Sequence, residues 1–305
     1  MKGRIGQIVL VLTAGILFPY MAVLLAMQNG IYAAGQEWKM ERKIVTEGGR
    51  FIESEQYLAG ILAKQIPADY PMETLKAQAV LARTWLYQAM GDADSINEEE
   101  LGAYRWDGRW MADTYGEDYL KDYQKYYQAV FATRGETAWY EDSRITPLYH
   151  ALSAGQTRND SSGICPYLIG RECNFDMEAE RFLQVRILEK EEFWSALNRI
   201  NPLRQVNEGE ASLEMIEWNI DTAGYVVTAN IQGMEFSAQE IQEVLEISSP
   251  WIRIDMYGAQ IRIISRGIGH GYGLSQWEAR RLAENGYDYK KILQYFFYGI
   301  SIKTE

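Results

Sequence analysis

Histidine is nearly missing from this sequence: His150 and His270 are the only two in 305 residues. Imidazole chemistry therefore has just two places to sit. Cysteine is equally scarce, with Cys165 and Cys173 in the stretch GICPYLIGRECNF. One disulfide is permissible outside the cytoplasm, but two free thiols fit as well, because spacing alone does not give the geometry. His150, Cys165 and Cys173 would supply the three N/S ligands of a catalytic zinc site. Their spacing matches no familiar zinc pattern, so no metal and no cofactor is expected. Cations are in deficit: Lys and Arg total 30 against 42 Asp and Glu, a net charge of −12. That balance excludes a general electrostatic attraction to nucleic acid and fits neutral or cationic partners better. Repeats and low-complexity linkers are absent. Prolines number only seven, so two of them four residues apart, Pro67 and Pro71, mark a deliberate bend.

The longest apolar run is N-terminal. Lys2 and Arg4 precede an uncharged stretch from Ile5 to about Met27, and Glu37 follows it. Its length matches a bilayer and exceeds the core of a cleaved signal, and the charges favour the N-terminus inside. The expectation is a signal anchor over residues 1–36 and a working domain over 37–305, on a single-pass cell-membrane protein with that domain outside the cytoplasm.

Beyond the anchor, YLAGILAKQIPADYPMETLKAQAVLARTWL reads as two helices meeting at Pro67. Leu58, Ile61, Leu62 and Ile66 keep the spacing of one apolar face, and Met72, Leu75, Ala79, Ala82 and Leu86 form the stripe of the second helix. Glu73, Lys76 and Arg83 lie off that stripe. EDYLKDYQKYYQAVFATRG is a further helix ended by Gly135. Alternating β-branched runs with turn residues between them occupy residues 180–265, and a helix pair closes the chain. These patterns predict an α+β fold: a helical body carrying a cleft, a mainly β lobe inserted before the last helices, and the N-terminal transmembrane helix.

Each histidine sits in a distinctive loop. His150 opens HALSAGQT. His270 lies in GIGHGYGLSQWEA, with glycines at 267, 269, 271 and 273. That loop runs into a helix where Ser275 and Glu278 have capping-box spacing, a layout that presents backbone N–H groups to a ligand. It lacks the GK[ST] of a phosphate-binding loop and a β-α-β setting, so a nucleotide site is excluded.

Taken in order, the helix–Pro–helix segment, HALSAGQT and SRGIGHGYGLSQWEARRLAENGYDYKKILQYFFYGI resemble the stage II sporulation protein D family, also called the amidase-enhancer domain. The resemblance runs from about Phe51 to Ile302. It implies a sporulation-type lytic transglycosylase that cuts the glycan strands of peptidoglycan during engulfment, beside a cell-wall amidase and other engulfment proteins. Such a reaction needs one acid and no second, water-activating carboxylate. The family's acid is the glutamate of an E-[MI]-P tripeptide; here that tripeptide is Gln65-Ile66-Pro67. Gln65 has the shape of the acid but supplies no proton near neutral pH. Three outcomes follow: Glu73 or Asp69 substitutes, the chain cuts slowly by strain and electrostatics alone, or it is a non-catalytic glycan-binding or scaffolding homologue that positions an amidase. The resemblance further implies that Arg83, His150, Ser153, His270, Ser275 and Gln276 line a substrate groove with Gln65 at its floor. For Arg83 an internal ion pair with a helix acid is the competing role, and for Glu73 a charge at a helix N-terminus.

Overall fold

The bend at Pro67 is the point from which the helical part is organised. The computed structural model describes residues 42–102, 116, 119–201, 203 and 205–305, and Lys43–Glu305 form one compact unit. The expected anchor lies outside the described residues, among which no helix is long and apolar enough to cross a membrane. Helix α1 (Ser54–Gln65) stops because Ile66, preceding a proline, is pushed to extended backbone at φ −146°. Helix α2 (Met72–Met90) restarts directly after Pro71. The bend's carbonyls, orphaned by the helix end, are taken up by helix α3 (Tyr119–Ala132): Tyr126 Oη donates to Ile66 O at 2.7 Å and Lys125 Nζ to Tyr70 O at 2.8 Å.

Helix α2 is buried on two faces rather than along one stripe. Leu75, Ala79, Ala82 and Leu86 pack with Tyr57, Leu58, Ile61 and Leu62 of α1 and with Tyr126, Ala129 and Val130 of α3. Ala77, Val80 and Leu81 face a second core built with α6 (Gln276–Glu284), α7 (Tyr289–Phe296) and strand β4 (Glu136–Tyr140). β4 lies between β5 (Ser143–Arg144) and β14 (Ser301–Thr304). At the N-terminal side, β1 (Lys43–Val45) pairs with β2 (Phe51–Glu53) and with β3 (Ser95–Asn97).

A third core belongs to the segment between Leu188 and Ile263. One of its sheets has the order β11 (Ile252–Tyr257), β12 (Gln260–Arg266), β7 (Leu183–Glu189). The other has the order β10 (Met234–Ser237), β9 (Val226–Ile231), β8 (Ile216–Ile220). Both hairpins follow the alternating runs read from the sequence. A helix that the sequence reading did not separate, α4 (Lys190–Asn198), puts Phe193, Trp194 and Leu197 into this core, and α5 (Ala238–Val244) adds Ile241.

The off-stripe reading of Arg83 is corrected by these contacts. Its side chain is fully buried, forked onto Glu55 with Nε–Oε1 2.9 Å and a second bond of 2.5 Å. The remaining N–H groups reach Val130 O at 2.9 Å, Glu136 O at 3.1 Å and the Thr133 hydroxyl at 3.3 Å. The guanidinium thus ties the start of α1 to the C-terminal carbonyls of α3, where a cation is favoured. It is a structural ion pair and presents nothing to a groove. Removing one partner of such a pair leaves the other charge buried, so Arg83→Met should destabilise the protein by about 3–5 kcal/mol. Urea unfolding measures this; a loss below about 1 kcal/mol would assign Arg83 to the surface chemistry instead.

Candidate functional site

Two short strands hold the two histidine loops together. β6 (Tyr149–His150) and β13 (Leu274–Ser275) run parallel, pairing Tyr149 with Leu274 and His150 with Ser275. The glycine loop before β13 folds onto β6 at a distance no side chain permits. A Cβ at Gly269 would stand 2.7 Å from the Cβ of His150, and one at Gly273 would stand 2.0 Å from Leu148 O, both at positive φ. Several of its N–H groups are used internally: Ile268 N donates to Leu152 O, Gly269 N to Ser248 O and Leu274 N to Leu148 O. The glycines therefore serve close packing of one loop on the other, and these three N–H groups do not face a ligand.

The imidazoles stand side by side, ring centres 5.7 Å apart. His150 is buried, and its Nδ1 lies 3.0 Å from Tyr272 O. A carbonyl only accepts, so Nδ1 carries the proton and Nε2 is a lone pair. That Nε2 is buried and has no hydrogen-bond partner among the described residues. Burial, and then the neighbouring His270, push the His150 pKa down to about 3, so the ring is neutral at physiological pH. His270 is exposed and accepts from Tyr272 N at 3.0 Å through its own Nδ1; desolvation and then Arg158 lower its pKa. Arg158 escaped the sequence reading. It is buried, paired with Asp221 at 2.5 Å, donates to His270 O at 3.3 Å and stacks 4.4 Å over Tyr272.

Ser153 and Ser275 meet below the histidines, on a carboxylate that no sequence signal marked. Asp176 accepts from Ser153 N at 2.8 Å and from the Ser275 hydroxyl at 2.7 Å, and all three residues are fully buried. The expected capping box of α6 is not made. Ser275 gives its hydroxyl to Asp176 and makes no side-chain cap, while Glu278 turns away to accept from Phe175 N at 2.9 Å and Asp176 N at 3.3 Å. The two serines therefore position Asp176 and do not face a groove. Cys173 completes this group, with ligand atoms of Cys173, Asp176 and Glu278 within 4.8 Å of one another. The set His150, Cys165 and Cys173 does not converge among the described residues, and both thiols are free.

Gln276, the next residue along, reaches the bend. Its Nε2 donates to the main-chain carbonyl of Gln65 at 2.8 Å and to Gln78 Oε1 at 3.3 Å, and Gln78 Nε2 donates to Gln65 Oε1 at 2.9 Å. Gln65 is half-buried, whereas Gln78 and Gln276 are buried. Glu73 is engaged elsewhere, with Lys76 at 2.7 Å and with Tyr289 N, at the start of α7, at 3.0 Å. Asp69 is exposed and lies 3.2 Å from Arg280. A cleft of about 950 Å³ opens between the bend and α3, lined by Lys64, Pro67, Met72, Lys121 and Gln128 among others. Gln65 and the histidines do not line this cleft. Of the nine candidate residues named from the sequence, Asp69 included, six join in three neighbouring groups: Gln65 with Gln276, His150 with His270, Ser153 with Ser275. Arg83, Glu73 and Asp69 join none of these groups.

Residues 49–140, which contain the bend and all of α2, match the family model described as Stage II sporulation protein. It is 28% identical over 264 residues to stage II sporulation protein D of Bacillus amyloliquefaciens, covering 82% of this chain and 74% of that one. The protein of the same name from Bacillus subtilis is 26% identical over the same coverage. An amidase enhancer from Bacillus subtilis is 24% identical over 81% of this chain and 40% of its own length. These relatives fit a function in sporulation and at the cell wall.

Two buried carboxyls in the site make stability depend on pH. Burial pushes Asp176 up to about 6, and burial together with the Asp176 charge pushes Glu278 up to about 7. Both take up protons on folding, so their contribution weakens as pH rises from the ordinary carboxylate range to about 7. Glu278→Gln keeps an acceptor for Phe175 N and Asp176 N but removes its share of that uptake. Its melting temperature should match the wild type near pH 4.5, the ordinary value for Glu, and exceed it by a few degrees above pH 7. A constant offset at every pH would refute the coupling.

Proposed function

We propose that this chain binds the glycan strands of peptidoglycan at Gln65 as a membrane-anchored sporulation protein, on a lytic-transglycosylase scaffold whose acid is replaced by an amide. The observation that carries this reading is the engagement of Gln65 and of the two carboxylates nearest to it in sequence, Asp69 and Glu73. Gln65 Oε1 is held by Gln78, Asp69 pairs with Arg280, and Glu73 serves Lys76 and the first turn of α7. No carboxyl among these is left as a proton donor to a glycosidic oxygen. The half-exposed amide can still hydrogen-bond a saccharide oxygen. Kinship with an amidase enhancer supports a partnership with a cell-wall amidase, which this protein would position on the strand. The apolar run Ile5–Met27 supports the membrane tether.

The test is incubation of the full chain with glycan strands stripped of their peptides, followed by mass detection of 1,6-anhydromuramyl ends. The wild type should bind strands and release no such ends above background. Gln65→Glu should release them at a rate about 10²–10⁴ times higher, the usual worth of a general acid. Cleavage by the wild type that disappears in Asp69→Asn or Glu73→Gln would overturn the binding reading and move the acid to that residue.

A further inference from the structure

Three side-chain amides meet at the bend, from α1, α2 and α6, and a group that cannot flip fixes their direction. The main-chain carbonyl of Gln65 only accepts, so the Gln276 atom 2.8 Å from it is the nitrogen. The same nitrogen is 3.3 Å from Gln78, which must therefore turn its oxygen toward Gln276. Gln78 is then left with its nitrogen toward Gln65, and donates to Oε1 at 2.9 Å. Gln65 in turn has its oxygen directed inward and its nitrogen directed away from Gln78. Gln78 is 0% and Gln276 4% exposed, so neither amide exchanges these partners for water without leaving a buried group unsatisfied.

We infer that Gln78 is a positioning residue that aims the side chain at position 65, so that this chain offers a pure hydrogen-bond donor to an oxygen acceptor of its ligand. The identity of that ligand rests on the glycan reading above, and the aiming does not. Acetamido carbonyls and the oxygens linking the sugars are acceptors of the required kind. A hydroxyl satisfies the site only through its oxygen lone pairs. The same arrangement accommodates a carboxyl. Gln78 would donate to the inner oxygen of a Gln65→Glu variant, and the outer oxygen would carry the proton toward the ligand. Gln78 itself touches no reacting atom in either case.

Because a hydrogen bond donated to a carboxylate favours its ionised form, the aiming can be read without any ligand. The carboxyl carbon of residue 65 is followed by NMR through a pH titration in full-chain Gln65→Glu. It is then followed in the same variant carrying Gln78→Met, and again carrying Gln78→Glu. Loss of the donor in Gln78→Met should raise the titration midpoint by about one pH unit, a tenfold change in the equilibrium. Gln78→Glu keeps the volume and the acceptor for Gln276, and should raise the midpoint further through like charge. It answers the question if the methionine variant does not fold. A midpoint that stays put in either folded variant, whatever its melting temperature, would overturn the inference, since a packing role alone leaves the titration unmoved. In a separate arm, Gln78→Met alone should weaken binding to peptide-free glycan strands about tenfold. Absence of wild-type binding there would count against the glycan reading, while the titration would still decide the aim.

Discussion

Helix α2 is the constraint on which the rest depends. Buried on two faces, it carries four polar side chains into the interior: Thr74, Gln78, Arg83 and Thr84. Each must find a partner or lose more than a surface residue would. Each finds it on a neighbouring element. Thr74 donates to Ala279 O of α6 at 3.2 Å, and Thr84 accepts from Ala138 N of β4 at 2.9 Å. Arg83 gathers α1 and α3, and Gln78 gathers α1 and α6. The apolar contacts hold the helices together without fixing their mutual rotation. The polar ones are directional, and they set where α6 and the end of α1 stand.

The candidate site follows from that arrangement. Ile66 and Pro67 end α1 at Gln65, leaving its carbonyl without a helical partner, and Gln276 supplies one. Because Gln276 follows directly on β13, its hydrogen bond draws the β6–β13 ladder, and with it His150, toward the bend. Asp176 fixes the other side of the same segment by holding Ser275 and Ser153 at once. The glycines at 269 and 273 allow the two loops to lie against each other, and an alanine at either position would push them apart. Parts of the chain more than two hundred residues apart in sequence are thus joined by a few hydrogen bonds with no slack.

Much of this could be read from the residues, and the omissions have physical reasons. The break at Pro67, the two helices around it and the hairpins of residues 216–231 and 252–266 obey local rules of period and turn, and they stand as read. Helix α4, KEEFWSALN, was missed because it follows the strand run LQVRILE directly, with no Gly or Pro between Glu189 and Lys190 to mark the change of period. The second buried face of α2, Ala77, Val80 and Leu81, was not separated from the first, since apolar residues on a helix do not name the partner that covers them. Asp176 gave no signal at all, because a lone aspartate in CNFDMEAE becomes special only when two serines from distant loops arrive at it. Ser275 and Glu278 gave a false one. Their spacing was right for a capping box, but the buried carboxylate competes for the hydroxyl and prevails. Arg83 was ambiguous for a similar reason, its answer lying in Glu55 and the end of α3.

The substitution at position 65 separates what the fold requires from what the chemistry requires. Gln78 presents an N–H to position 65 and needs only an oxygen in return. An amide and a carboxyl both provide that oxygen with nearly the same shape. On the inner side, then, packing and hydrogen bonding do not distinguish the two, and stability places little pressure on the choice. They differ on the outer side, where one has two donors that never dissociate and the other has a transferable proton. A change confined to that face leaves the bend, the amide network and the histidine loops in place while removing the single group a transglycosylase cannot do without. A scaffold so indifferent to the choice between amide and acid is compatible with the proposed reading, in which the chain holds glycan without cutting it.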